Sequence, residues 1–495
     1  MGTGTYYRLT NLTVHDVNGD DTKDLGGSSG IHFDVLGNKT KTKFDDVVLD
    51  GNEVYAVDRS GINMSTTWKC RATTNWDRCP DRVDNYYPWT RFIVRNNTVH
   101  DTGGDGVVMQ YTQNGLAEHN VLYDIAMRSP KANAGLWAWN ADNVTFQFNE
   151  VYRVRRAPGT NDGNAFDADY GTKGTLYQYN YSHDNEGGMI LYCGCGGGTS
   201  ETRDAVARYN VSQNDKSRII MGAGAIGDSA FYNNTVYLPP GSTTKIIEEY
   251  SSGTHLTIAN NIIVNHGSGG YSYTADHYKF ANNILYGNHP GGPSGQLATD
   301  PKLVAPGGNS VTGYQIAADS PAIGAGQVIA GNGGRDYWGN RVSAVCAPDI
   351  GAHQRSTQND ATCGTVSNGG FETGSLSPWY AWNGASVVTG NAHSGTQALR
   401  VGPAPASAEQ RITVSPNTTY RLAGWAKTAT AGEEVHIGVK NYGGAAAYKS
   451  ITDTAYTNGS VFFTTGSGNT QATIYCYKHT GSGYAYCDDI TVTKS

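Results

Sequence analysis

Two carboxylates one residue apart, Asp167 and Asp169 in Asn164-Ala-Phe-Asp-Ala-Asp-Tyr170, have the spacing that acid and base work requires. They alternate with Phe166, Ala168 and Tyr170, and alternate residues of a strand share a face. Both acids are therefore expected to point outward, their backbones about 6.5–7 Å apart at a rise of about 3.3 Å per residue. Inverting glycosidases use two carboxyl groups roughly 6.5–9.5 Å apart, one to protonate the leaving oxygen and one to activate water. One repeat later, His183-Asp-Asn-Glu186 adds Glu186, or alternatively Asp184, to this catalytic group. Carboxylates gathered together raise the pKa of at least one member, as a general acid requires.

A repeat must position these acids. Asn-x-[Val/Leu/Ser/Ile]-x patterns begin at Asn97, Asn120, Asn149, Asn180, Asn210, Asn234, Asn261 and Asn283, a period that suits coils of fixed cross-section with loops of varying length. A second segment follows within each step: Ile31-His-Phe-Asp, Ile62-Asn-Met-Ser, Val107-Val-Met-Gln, Leu136-Trp-Ala-Trp, Phe166-Asp-Ala-Asp, Met189-Ile-Leu-Tyr, Ile219-Ile-Met-Gly and Ile246-Ile-Glu-Glu. Aligned this way, the first and third columns are apolar except for Glu248, which is expected in a buried network. The second and fourth form a polar and aromatic working face. Stacked coils of this size read as a right-handed parallel β-helix, with the repeated Asn bonding from coil to coil at a turn.

On that face Trp137 and Trp139 precede the aspartates and Tyr192 follows them, where exposed rings would stack on sugars. Glu249 lies three coils along, about 14 Å at the coil spacing, and is expected in a neighbouring subsite. Asp105 flanks the site or shapes a turn. Arg155 and Arg156, with Arg128, Lys131, Lys216 and Arg218, form a basic margin before the strands.

The chain has 495 residues, 64 Gly and 32 Tyr, with no apolar run near 18 residues, so it reads as a soluble, β-rich protein of about two domains. Net charge −7 argues against nucleic acid or an anionic membrane as a partner, and a monomer is expected. Eight cysteines fall into four local couples, Cys70/Cys79, Cys193/Cys195, Cys346/Cys363 and Cys476/Cys487, without the Cys-x-x-Cys spacing of a zinc site. At least three read as disulfides, the last closing a hairpin, which implies a secreted, extracellular setting. Met1-Gly2 leads straight into a polar, strand-like Thr3 to Val17, as a trimmed mature end would.

Beyond about Asn288 come Asp300-Pro-Lys-Leu-Val, Asp319-Ser-Pro-Ala-Ile-Gly-Ala-Gly and Asp349-Ile-Gly-Ala-His. These phrases resemble the closing segment of bacterial β-helix proteins of the pectate-lyase-like superfamily, many of which degrade polysaccharides. The likeness covers about Thr5 to Gln354, without the usual N-terminal cap, and assigns 1–355 to a catalytic β-helix. A polar linker, 356–367, leads to a β-sandwich at 368–495 with alternating strands and Gly/Asn turns. Its opening Asn368-Gly-Gly-Phe-Glu-Thr and closing Tyr486-Cys-Asp-Asp-Ile-Thr-Val resemble jelly-roll carbohydrate-binding modules of families 4, 9, 16 and 22. That resemblance implies a structural calcium on Glu372 and on Asp488 or Asp489, and hard oxygen donors suit calcium. Of the module's aromatics, Trp382 and Tyr477 are expected to contact sugar, and Trp379 and Trp425 to lie in the core.

The expected function is a secreted glycoside hydrolase that needs no cofactor for its reaction and is held on a polysaccharide by its module. A calcium-dependent lyase competes, with Asp167 and Asp169 holding metal and an arginine as base. A β-helix that only binds glycans is the third reading.

Overall fold

The computed structural model describes residues 4–21, 28–71, 79, 84–195, 201–308, 310–344, 347–355 and 366–494, with the backbone alone at 251 and 252. Among them every regular element is a β-strand apart from short 3₁₀ turns, and no helix is long and apolar enough to cross a membrane. The all-β expectation holds. The chain forms two compact units: Met1–Gly326 with Arg335–Asn340 and Asp349–Ser356, and Thr357–Ser495 with Gln327–Gly334 and Arg341–Pro348.

The first unit is the expected parallel β-helix, its coils paired in register in an 18-stranded and a ten-stranded parallel sheet. The face strands are Ile31–Val35, Ile62–Thr66, Val107–Gln110, Leu136–Trp139, Asn164–Ala168 and Gly188–Gly194, followed by the first parts of Arg218–Tyr232 and Lys245–Ala259. Their inward residues, among them Ile62, Val107, Leu136, Phe166, Ile190, Ile220 and Ile247, form one continuous fully buried column. Parallel strands buried on both faces gain their stability from such columns.

The asparagine repeat is the coil-to-coil ladder expected. From Asn97 through Asn261, each backbone N–H and each Nδ2 donates to Oδ1 of the next coil's Asn, at 2.9–3.1 Å. Asn52 extends it upstream, and Gln296 accepts from Asn283 at its end. The left-handed φ falls on the residue before each ladder Asn rather than on the Asn itself.

The ten-stranded sheet carries a stack of rings on its outer side: His15, Tyr55, His100, Tyr123, Tyr152 and His183, with neighbouring centroids 4.6–5.2 Å apart. Burial pulls the His183 pKa down, but hydrogen bonds to Asp184 (2.9 Å) and Glu150 (3.2 Å) outweigh it and raise the pKa from 6.5 to about 9. A folded-state pKa above the unfolded one means that charged His183 stabilises the fold fully below about pH 6.5. This contribution is lost as pH rises through about 9. Calorimetry from pH 6 to 10 should show the β-helix transition falling over that window, and His183→Gln should flatten that part of the profile.

The second unit is the expected β-sandwich. One five-stranded antiparallel sheet runs Tyr380–Trp382, Ala406–Thr413, Gln471–Lys478, Val435–Lys440, Ala447–Ile451; the other runs Ala385–Thr389, Gln397–Val401, Ala485–Lys494, Thr419–Thr428, Thr457–Thr464. Leu399, Leu422, Ile437 and Ile474 fill the space between. Cys476–Cys487 joins a strand of one sheet to a strand of the other, so it ties the sandwich together rather than closing a hairpin. Cys70–Cys79 and Cys193–Cys195 are also disulfides, and the Cys346/Cys363 couple lies outside the described residues.

Candidate active site

The face strands bring the first five rows together as aligned above. Ile31 pairs with Ile62, Ile62 with Val107, Val107 with Leu136 and Leu136 with Phe166, so His32, Asn63, Val108, Trp137 and Asp167 form one outward row. The next strand slips by one residue against the expected alignment: Phe166 pairs with Ile190, Asp167 with Leu191 and Ala168 with Tyr192. A one-residue slip exchanges the two faces of a strand. Tyr192 is therefore not a sugar platform. It is fully buried in the core, and its hydroxyl donates to the Ala230 carbonyl at 3.0 Å.

The slip carries through the following coils. Met221 pairs with Leu191 and with Glu248, while Glu249 pairs with Gly222. Glu248 thus belongs to the outer row, held by Arg218 Nε at 2.7 Å and by Lys245. Those two cations outweigh desolvation and keep its carboxyl below the usual carboxylate range. Glu249 is not a subsite residue. Its side chain is shut away, bound to His277 Nδ1 at 2.5 Å and to the Thr274 backbone N–H at 2.7 Å.

Three further expectations change for physical reasons. Trp137 and Trp139 are not open platforms: the Cys70–Cys79 disulfide and Tyr86 pack on their cluster, and both are buried with Val108, Tyr111 and Tyr170. Beside that disulfide, the Tyr86 hydroxyl donates to the Asn140 carbonyl at 3.0 Å, and Arg71 bonds Asn140 and Asp142. Tyr170 does not face inward, because the strand ends at Ala168 and its alternation with it; the ring packs on Trp139 at 5.6 Å. Glu186 is not beside the aspartates. It stands exposed at the corner, five positions before Leu191, and takes the Arg156 backbone N–H at 2.8 Å.

What the fold does assemble is a pocket running from His32 to Asp169, lined by Arg59, Asn63, Asp105, Gln110, Tyr111, Trp137 and Trp139 among others. Asp169 closes one end. Its amide donates to the Ala138 carbonyl, and the Cys193–Cys195 sulfurs lie within 4.8 Å of its carboxylate. Asp167, 4% exposed, stands in the outward row next to Trp137. The buried Tyr177 hydroxyl donates to the Asp167 carbonyl; burial first, then the Asp167 charge, drives its pKa far up and keeps it a donor. On the far side of the acids the outer row turns apolar over the next two coils, with Leu191, Cys193, Met221 and Ala223 all buried, before Glu248.

Asp105 does flank this site, in a role the sequence did not reveal. It forms a buried ion pair with Arg59 at 2.6 Å, each side chain 2% exposed, and Arg59 Nη1 also donates to Asn133 at 2.7 Å. Among the described residues Arg59 Nε has no hydrogen-bond partner, and the guanidinium lines the pocket. A lone arginine 46 residues from its partner carries no periodic signal.

The basic margin does not reach this pocket. Arg155 donates to the Met127 carbonyl at 3.0 Å, and Arg156 is tied to Thr160, Asn161 and Ser217 around its corner. Arg218 is buried on Glu248 and the Asn161 carbonyl. Arg155, Arg156 and Arg218, expected as bases in the lyase reading, are thus engaged away from the pocket.

In the sandwich unit, Trp382 and Tyr477 lie together in a groove of about 670 Å³ on the sheet containing Tyr380–Trp382. Tyr448 stacks on His436 at 4.2 Å and His436 on His479 at 4.9 Å along its floor. Glu409 bridges Lys440 at 2.8 Å and accepts from the Tyr380 hydroxyl at 2.6 Å. Trp379 is core, as expected; Trp425 is not, being half-buried on the other sheet and stacked on His393 at 4.0 Å. Glu372, Asp488 and Asp489 all address the loop 393–397, Glu372 through the Thr396 and Gln397 amides and Asp488 through those of His393 and Ser394. Asp489 reaches His393 Nδ1 and Ser394 Oγ, each at 2.7 Å. Carboxylates from both ends of the unit are a donor set of the kind calcium takes.

Residues 364–482 match the family model described as a carbohydrate binding domain. Over 431 residues, 74% of its length, the chain is 28% identical to a lacto-N-biosidase of Bifidobacterium longum subsp. longum, covering 26% of that protein. A stretch of 130 residues, 26% of the chain, is 50% identical to a keratan-sulfate endo-1,4-beta-galactosidase of Sphingobacterium multivorum, covering 31% of it. The crystal structure of a GH136 lacto-N-biosidase from Eubacterium ramulus aligns with 56% of this chain and 43% of its own, at 25% identity and a TM-score of 0.40. The chain thus spans about a quarter to a third of the length of these two curated relatives.

Proposed function

We propose that this chain is a secreted glycoside hydrolase that cleaves a lacto-N-bioside or a related galactoside-containing glycan on the outer face of its β-helix, with Asp167 and Asp169 as its carboxyl pair. The observation that carries this reading is that Asp169 closes a pocket lined by donors, acceptors and indole rings, while Asp167 pairs with Trp137, itself one of the lining residues. Asp167, the acid shielded from water, is assigned the role of general acid. Asp169, at the pocket wall, acts as the second carboxylate. The lacto-N-biosidase similarity over most of the chain supports the reaction class, and the disulfides support an oxidising compartment.

The sandwich unit holds the enzyme on its polymer through the Trp382 and Tyr477 groove, raising the effective concentration of substrate. Calcium on Glu372 with Asp488 or Asp489 braces its loop 393–397 without entering the reaction.

The test is a panel containing a chromogenic lacto-N-bioside, keratan sulfate and uronate polysaccharides, followed in parallel by reducing ends and by the ultraviolet absorbance of unsaturated products, with and without chelator. Reducing ends without absorbance, unchanged in rate by chelator, are expected. Absorbance that disappears on chelation would instead establish a lyase. Trp382→Ala should weaken retention on the cleaved polymer by about 1–3 kcal/mol, roughly the value of one fully buried aromatic side chain, and chelator should lower only the sandwich transition in calorimetry.

A further inference from the structure

Just before the ladder asparagine, each coil turns through a residue with left-handed φ. Toward both ends of the β-helix this residue is Gly51, Asn96, Asn233, Asn260 or Asn282, and Asn11 before Leu12 at the equivalent turn of the first coil, types that accept the conformation. In four consecutive central coils it is a ring instead: His119 (φ 54°), Phe148 (φ 55°), Tyr179 (φ 58°) and Tyr209 (φ 50°). Bulky side chains are sterically disfavoured there, and strain of this kind persists only where something outside the local backbone maintains it.

Two of the four rings have a visible reason. Tyr209 is completely buried, and Tyr179 is nearly so, its hydroxyl donating to the Arg335 carbonyl at 3.2 Å under the returning segment Arg335–Asn340. His119 and Phe148 continue the same stack, at 5.0 Å per step, into the open, and Phe148 is 40% exposed. Beside them lies a cleft of about 400 Å³ with Glu150, Tyr181, Val311 and Tyr337 on its walls. That volume falls within the roughly 300–1,000 Å³ of small-ligand sites. The cleft belongs to a corner of the coil distinct from the face strands that carry Asp167 and Asp169.

We infer that this cleft is a second glycan-binding site on the β-helix, taking a pyranose unit of the polymer at a distance from the cleaved bond; the inference rests on the glycan-hydrolase reading. The chemistry of the walls suits a sugar. Ring edges carry positive partial charge and meet hydroxyl oxygens, while ring faces meet the apolar C–H side of a pyranose. Glu150, 42% exposed at its side chain, accepts from His183 and offers its remaining lone pairs to sugar hydroxyls. A second attachment point on the same body as the active site would hold a long chain in register with it.

The other coils supply the test variant. Asn occupies the same left-handed position five times, so His119→Asn with Phe148→Asn removes both rings while relieving backbone strain. The full chain carrying Trp382→Ala and Tyr477→Ala serves as parent, which silences the sandwich groove. Affinity electrophoresis in keratan sulfate and saturation-transfer NMR with free lacto-N-biose are compared between the parent and the parent with both Asn substitutions. The parent should be retarded and should show saturation transfer, and the two substitutions should weaken both by about three- to tenfold, the range for losing one or two ring contacts. Its thermal midpoint should be unchanged or higher.

A lower midpoint with unchanged retardation would overturn the inference and make the rings a purely structural stack. So would absence of retardation and of saturation transfer in the parent. Turnover of the chromogenic lacto-N-bioside by that same parent would leave the hydrolase reading standing, whereas its absence as well would remove both.

Discussion

In the Asp169→Asn protein, turnover of the cleaved glycoside is expected to fall by about 10²–10⁴-fold, the usual contribution of a positioned acid or base. The substitution keeps the shape of a side chain that is only partly buried at the end of its strand. The β-helix transition should therefore move little, and the loss should appear in kcat more than in KM, because the lost charge acts in the transition state. Asp167→Asn should produce a loss of similar size, and the double substitution should lose little more than either alone, since groups that act as a unit are not additive. Glu186→Gln is the control. Among the described residues its carboxylate takes the Arg156 amide at an exposed corner, away from the pocket, so turnover should survive its replacement. If Glu186→Gln abolished turnover while Asp169→Asn spared it, the assignment of the pair would be wrong.

Arg59→Met is expected to give the largest change in stability. Arg59 and Asp105 are both almost completely shielded and lie 2.6 Å apart, and removing one member of such a pair leaves a charge buried without its counterion, at a cost of about 3–5 kcal/mol. Asp105→Asn should cost a comparable amount, because it leaves the guanidinium uncompensated. The double replacement, Arg59→Met with Asp105→Asn, should cost clearly less than the sum of the two, since no ion is then stranded. Two units make a single unfolding free energy ill-defined. The measurement is therefore the β-helix transition in calorimetry, with the sandwich transition as internal reference. Because Arg59 also lines the pocket, the variants that still fold should show a raised KM. Single variants with unshifted transitions would mean that solvent reaches the pair and that the pocket is open on that side.

The asparagine ladder, the inward columns and the first five face rows were all legible in the chain because they depend on a local period. In Leu136-Trp-Ala-Trp and Phe166-Asp-Ala-Asp an apolar residue alternates with one that resists burial or is too bulky for the narrow interior, and one register satisfies both faces. The slip arises where that contrast vanishes. Met189-Ile-Leu-Tyr-Cys193 is apolar at successive positions, as are Ile219-Ile-Met221 and Ile246-Ile247, so the pattern itself cannot distinguish inside from outside. The preceding Gly187-Gly188, with Gly188 at φ 124°, lets the backbone take either setting. One residue of offset there reversed Tyr192, Glu248 and Glu249 together.

By itself, then, the sequence determined an all-β chain of stacked coils followed by a sandwich, Asp167 on an outer row, and the two aromatic residues of the module groove. Each of these follows from spacing within one strand or one repeat. Tertiary structure alone decided that the Cys70–Cys79 disulfide and Tyr86 pack on the tryptophan cluster, that Arg59 pairs with Asp105, that the arginines of the corner are occupied, and that Glu186 stands apart. These outcomes depend on which side chains from distant segments share a volume from which water has been expelled. Hydrophobic burial, being non-directional, leaves no periodic trace of such partners in the chain.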